Sequence, residues 1–91
     1  MKPEKGRMAL SDQIRLLLRD KYGLVHIPNR HKMEAWIDRT RGAVSGGVGP
    51  EEAGLRAARE LFPYELKEHA VYTSHPVPEL LEMARRLGDD Q

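Results

Sequence analysis

The stretch Ser45-Gly46-Gly47-Val48-Gly49-Pro50-Glu51-Glu52 sets a glycine loop directly ahead of a segment that opens like a helix. Backbone amides in such a loop, with the positive end of the following helix, can hold a phosphate. That chemistry asks for a lysine followed by serine or threonine where the helix begins. Here Glu51 and Glu52 stand at that point and would repel the anion. A second constellation is His31, Glu34 and Asp38, which project from nearly the same side of one helix; an imidazole with two carboxylates is a donor set for a divalent cation. The same face is accounted for by ordinary helix pairs, because Arg30 lies four residues before Glu34 and Arg41 three after Asp38. The other histidines, His26, His69 and His75, lack zinc-finger spacing, and the chain has no cysteine to assist them. Among nucleophiles there is no thiol, and the hydroxyls of Ser11, Ser45 and Ser74 fit helix caps or loop geometry. We therefore assign no catalytic residue, metal site or cofactor from the sequence, and catalysis is the less favoured class.

One family resemblance runs through the same stretch. Glu51, Arg59, Glu60 and Leu61 reproduce the spacing of the Nudix hydrolase box, a glutamate followed after seven residues by Arg-Glu-aliphatic. The resemblance implies a magnesium-dependent hydrolase with a mixed sheet around the box. At the positions of that family's metal-binding glutamate pair this chain has Pro63 and Tyr64, and the leading glycine falls on Ser45. Without the principal metal ligands, and with helical patterns where the sheet belongs, the resemblance carries neither fold nor activity here.

These residues must be positioned by a chain of 91 residues, long enough for one modest core that buries about 60–65% of the unfolded surface. With 40% hydrophobic and 32% charged residues it is too apolar for a disordered tail. Its longest aliphatic run is Leu16-Leu17-Leu18, far short of the roughly 20 residues of a membrane span. A cytoplasmic location is the default expectation. The net charge of +1 conceals a polarity: residues 1–41 hold ten Lys and Arg against five Asp and Glu, and residues 42–91 hold five against nine. Halves of +5 and −4 can recruit a charged partner or pack against each other.

Periodicity predicts a mainly α fold: a small four-helix domain over residues 10–91, preceded by a flexible basic arm at 1–9 (MKPEKGRMA). The first helix is expected from a Ser11 cap to about Tyr22, with Leu10, Ile14, Leu17, Leu18 and Tyr22 on its apolar face and Gly23 as terminator. Leu16 falls on the polar side. After the link Leu24–Pro28, Asn29 caps a second helix over Arg30–Arg41 with the stripe Met33, Trp36, Ile37 and Thr40. Gly42–Gly49, with four of the eight glycines, reads as a loop. The third helix starts at Pro50 with Leu55, Ala58, Leu61 and Phe62 on one face, beside Gly54 and Ala57, which permit close approach of a neighbour. The fourth begins near Ser74 with the stripe Val77, Leu80, Met83, Ala84 and Leu87. Residues 64–73 fit either helix or strand, and if Val71–Thr73 are extended they can pair with Leu24–Ile27 in a short two-stranded β ribbon.

For function the leading expectation is a small non-catalytic protein-binding module, a regulator, inhibitor, adaptor or accessory subunit. Its contacts would come from Leu16 and a charged surface containing Arg15, Arg19, Arg30, Lys32, Arg39 and Arg41, with a hinge loop at Ser45, Gly46, Gly47 and Gly49. The alternative is nucleic-acid binding, the first two helices being read as a helix-turn-helix within the basic half. Glu34 and Asp38 on the face that would enter the groove oppose it. Self-association as a homodimer burying Leu16 is a third option, compatible with either.

Overall fold

The structure, a computed structural model, describes residues 9–66 and 75–89. It contains four helices, α1 (Leu10–Tyr22), α2 (Arg30–Ser45), α3 (Pro50–Leu61) and α4 (Val77–Asp89), and no strand among the described residues. The expected four-helix, mainly α fold is what the chain adopts. Leu24–Ile27 is irregular rather than extended in a ribbon, and its expected partner Val71–Thr73 lies outside the described residues, as does most of the arm at 1–9. The reason is visible in the link: Leu24 turns into the core, whereas Val25, His26 and Ile27 all face solvent, so the alternation of a half-buried strand is absent.

The stripes on α1 and α2 pack as the periodicity requires. Ile14, Leu18 and Tyr22 of α1 and Met33, Trp36, Ile37 and Thr40 of α2 are buried, with Leu10 and Leu17 packed at the margin. α1 begins two residues earlier than expected: Ala9 rather than Ser11 occupies the cap position, no side chain caps the helix, and Gln13 N–H bonds the Ala9 carbonyl at 3.0 Å. Ser11 is therefore inside the first turn, because starting at Leu10 lets that side chain join the apolar face. Gly23 ends the helix in the left-handed region (φ 64°, ψ 37°), a conformation favouring glycine, and Leu24 N–H closes the cap on the Arg19 carbonyl at 3.0 Å. Asn29 caps α2 as expected, its side chain accepting from Lys32 N–H at 2.8 Å.

The glycine-rich segment is shorter than expected. α2 continues through Gly42 to Ser45, so the loop is Gly46–Gly49 and Ser45 belongs to the helix rather than to a hinge. A single glycine in a helix costs only about 1 kcal/mol, whereas the pair Gly46-Gly47, with Gly47 at φ 103°, ends it. The buried face of α3 is also rotated: Ala53, Gly54, Ala57 and Ala58 are buried, while Leu55 and Leu61 lie at the margin.

That rotation puts small residues at the centre of the molecule. A Cβ at Gly54 would stand 2.6 Å from Tyr22 Oη, 2.8 Å from Val77 Cγ2 and 3.2 Å from Trp36 Cζ2. α1, α2 and α4 thus all pack on the backbone of α3 at this residue. Trp36 Nε1–H donates to the Gly54 carbonyl at 3.0 Å, and the Trp36 and Tyr22 rings meet tilted with centroids 6.3 Å apart. At one edge of this core Lys21, which no periodicity singles out, is fully buried, with Nζ 2.8 Å from Glu51 Oε1. The other oxygen of Glu51 accepts Val77 N–H at 2.7 Å. One carboxylate at the start of α3 therefore neutralises the end of α1 and caps α4.

A candidate partner-binding surface

Arg15 fixes the link between α1 and α2. Its Nε donates to the Pro28 carbonyl at 2.8 Å, while its Nη1 pairs with Asp12 Oδ1 at 2.8 Å. Pro28 itself is buried. With the end of the link held against α1, Val25 and Ile27 cannot reach the core and remain 61% and 41% exposed. Between Ile27 and α1 lies a depression of about 260 Å³ lined by Asp12, Arg15, Leu16 and Ile27. Leu16, on the polar side of α1 as the periodicity requires, is half-buried there.

The turn after α3 meets the same link from the other side. Glu65 accepts the backbone N–H of His26 at 3.1 Å, with His26 Nδ1 at 3.9 Å from the same carboxylate oxygen. A second depression, about 200 Å³, is lined by His26, Ile27, Pro28, Asn29, Lys32, Phe62 and Glu65. Lys32 stands at its border, Nζ 5.8 Å from the centroid of the Phe62 ring and 3.5 Å from the Leu61 carbonyl. Ile27 belongs to both depressions, so they adjoin. Tyr64, between Phe62 and Glu65 in that turn, is 97% exposed. Val25, Ile27 and Tyr64, the three large exposed hydrophobic residues among the described ones, thus belong to two segments that are hydrogen-bonded to each other.

Of the residues expected from sequence to contact a partner, Arg15, Leu16 and Lys32 line this surface. The others do not converge on it. Arg19 pairs with its neighbour Asp20 at 3.3 Å, and Arg30 with Glu34 at 3.4 Å. Arg39 pairs across the helix interface with Glu60, and Arg41, exposed like it, is more than two turns along α2 from Lys32. Sequence reasoning missed Val25, Ile27, Tyr64, Phe62 and His26. A signal for the first two was present: two β-branched apolar residues between a helix-ending Gly23 and Pro28, in a link too short to bury both.

The expected glycine hinge and the rest of the searched chemistry lie elsewhere. Gly46, Gly47 and Gly49 form the α2–α3 connection, exposed and remote in sequence from the two depressions. Glu51 and Glu52 border a smaller depression of about 120 Å³ with Tyr22 and Leu55. His31, Glu34 and Asp38 are all exposed on α2, and no group of three or more His, Asp or Glu among the described residues is placed to hold a metal ion. On α4, the hydrogen bond from the Arg85 guanidinium holds the Glu82 carboxyl below its usual range. No described helix is long and apolar enough to cross a membrane. No family model matches the chain, and no curated protein or solved structure matches it either.

Proposed function

We propose that the protein is a small protein-binding module that engages its partner through the surface built from α1, the 23–29 link and the turn after α3. The observation that carries this reading is the placement of Val25, Ile27 and Tyr64, exposed on two segments tied together by the His26–Glu65 hydrogen bond, with Ile27 sharing a depression with the half-buried Leu16. Scattered exposed apolar side chains are ordinary, whereas a group of them beside preformed depressions is the anatomy of a contact site. Arg15 holds the link to α1 before any partner arrives, which lowers the ordering cost of association.

Nucleic-acid binding is supported by the basic residues that open α2, Arg30, His31 and Lys32, none of them accompanied by an acidic residue in that first turn. It ranks second because Arg15, Arg19, Arg30 and Arg39 are each paired with a carboxylate, leaving little charge to release counterions from a phosphate backbone.

The test is affinity capture by the tagged full chain, with and without nuclease, read by mass spectrometry and repeated with Leu16→Glu and Ile27→Glu. The protein-binding reading expects specific proteins that survive nuclease and are lost with both substitutions, while the circular dichroism spectra stay unchanged. Capture that vanishes with nuclease would support the nucleic-acid reading. Capture undiminished by either substitution would remove this surface from the account. Light scattering on the same samples decides whether the partner is a second copy of the chain.

A further inference from the structure

The two adjoining depressions differ in chemistry, and the difference identifies what the partner must present. The first is formed by the aliphatic side chains of Leu16 and Ile27, with the flanking charges of Asp12 and Arg15 already satisfying each other at 2.8 Å. It offers apolar contact and no unspent charge. The second has the ammonium of Lys32 at its border, with no carboxylate within ion-pairing distance among the described residues. His26, whose side chain is 80% exposed with Nδ1 3.9 Å from Glu65 Oε1, also lines it, and His31 lies next to Lys32 on α2. Glu65 is the one carboxylate lining the depression among the described residues, and it is already engaged by the His26 backbone N–H.

We infer, building on the docking surface proposed above, that the partner is a protein segment carrying an aliphatic side chain next to a carboxylate. The aliphatic group enters the Leu16–Ile27 depression and the carboxylate meets Lys32 and His26. Charge complementarity selects the acidic member of such a pair. The apolar depression selects a protein over a nucleic-acid backbone, which has no aliphatic group to place beside Ile27. Tyr64, fully exposed at the end of the turn, suits the role of an aromatic anchor on the partner's own surface.

The experiment uses the ¹⁵N-labelled full chain and three fluorescein-labelled peptides of equal length, alternating leucine with glutamate, leucine with lysine, and serine with glutamate. A single-stranded oligothymidine is the fourth probe. The expected result is binding of the leucine–glutamate peptide with amide shifts at Leu16, Ile27 and Lys32. That binding should weaken by at least about tenfold, ~1.4 kcal/mol, in both Leu16→Glu and Lys32→Glu. Lys32→Gln, with an unchanged amide spectrum elsewhere, serves if Lys32→Glu does not fold. Equal binding of the leucine–lysine peptide would overturn the carboxylate preference, and equal binding of the serine–glutamate peptide would overturn the use of the apolar depression. Preference for the oligothymidine would replace a protein partner by nucleic acid. If Leu16→Glu abolishes capture from extract while none of the peptides binds, the docking surface survives and the acidic-aliphatic assignment falls.

Discussion

Replacing Gly54 with alanine adds one methyl group at the point where three helices meet a fourth. The added Cβ would lie 2.6 Å from Tyr22 Oη, 2.8 Å from Val77 Cγ2 and 3.2 Å from Trp36 Cζ2. Those side chains are 1%, 0% and 0% exposed, so none can swing into solvent to make room. Overpacking a core costs about 1–3 kcal/mol, and three simultaneous contacts on three helices place this site at the upper end. Against that, alanine gains about 1 kcal/mol over glycine within a helix. The net expectation is a loss of about 2 kcal/mol, or roughly 8–16 °C in Tm for a domain of this size. α3 must also shift outward, lengthening the 3.0 Å bond from Trp36 Nε1–H to the Gly54 carbonyl. Urea denaturation gives the first quantity and the emission maximum of Trp36, the chain's sole tryptophan, the second. Gly42→Ala is the control: Gly42 is also helical, nothing stands within 4 Å of where its added methyl would lie, and the substitution should stabilise by about 0.5–1 kcal/mol. A Gly54→Ala protein as stable as Gly42→Ala would refute the packing of α1, α2 and α4 on this backbone.

Three further outcomes follow from the packing and from the link. Glu51→Gln should cost about 2 kcal/mol, less than a fully buried pair because Glu51 is half exposed, and this loss should shrink to below about 1 kcal/mol in a Lys21→Met background; equal losses in the two backgrounds would show that the ion pair is not the operative contact. Thr40→Val should stabilise by about 1 kcal/mol in thermal melts, since Thr40 Oγ1 is buried with no hydrogen-bond partner among the described residues, and a net loss would mean that the hydroxyl is bonded beyond them. Arg15→Lys keeps a charge for Asp12 but removes the Nε donor to the Pro28 carbonyl, so amide exchange at Val25–Ile27 should accelerate severalfold, with about 1 kcal/mol lost overall; unchanged exchange would mean that the link is held by the burial of Pro28 alone.

What was legible in the sequence was whatever one helix decides for itself. The stripe Met33, Trp36, Ile37 and Thr40 is buried residue for residue, because a 3.6-residue period with a large aromatic at its centre leaves α2 one way to face inward. Gly54 was legible as a point of close approach, although not as the point where all three other helices converge. The elements that differ from expectation are those settled between segments. Gly42–Ser45 stayed helical because one exposed glycine is a small local cost, which composition alone makes look like a loop. Lys21 is buried because Glu51, thirty residues away, supplies a counter-charge, and no local pattern announces such a pair.

The candidate surface was half legible for the same reason. Leu16 stood out as an apolar residue on a polar helix face, a purely local anomaly, and it lines a depression. Its neighbour Ile27 reads as a ribbon residue, conditional on an extended Val71–Thr73, because β-branched residues before a proline favour extended backbone whether or not a second strand is present. The difference lies in Arg15, which holds the Pro28 carbonyl and thereby the exit of the link. With that end fixed and Leu24 drawn into the core at the other, the residues between have no route inward. Two apolar side chains are then displayed at the cost of their own burial, about 1.5–3 kcal/mol each if it were complete. On the proposed reading, a contact in a complex recovers part of that burial, which folding alone leaves unmade.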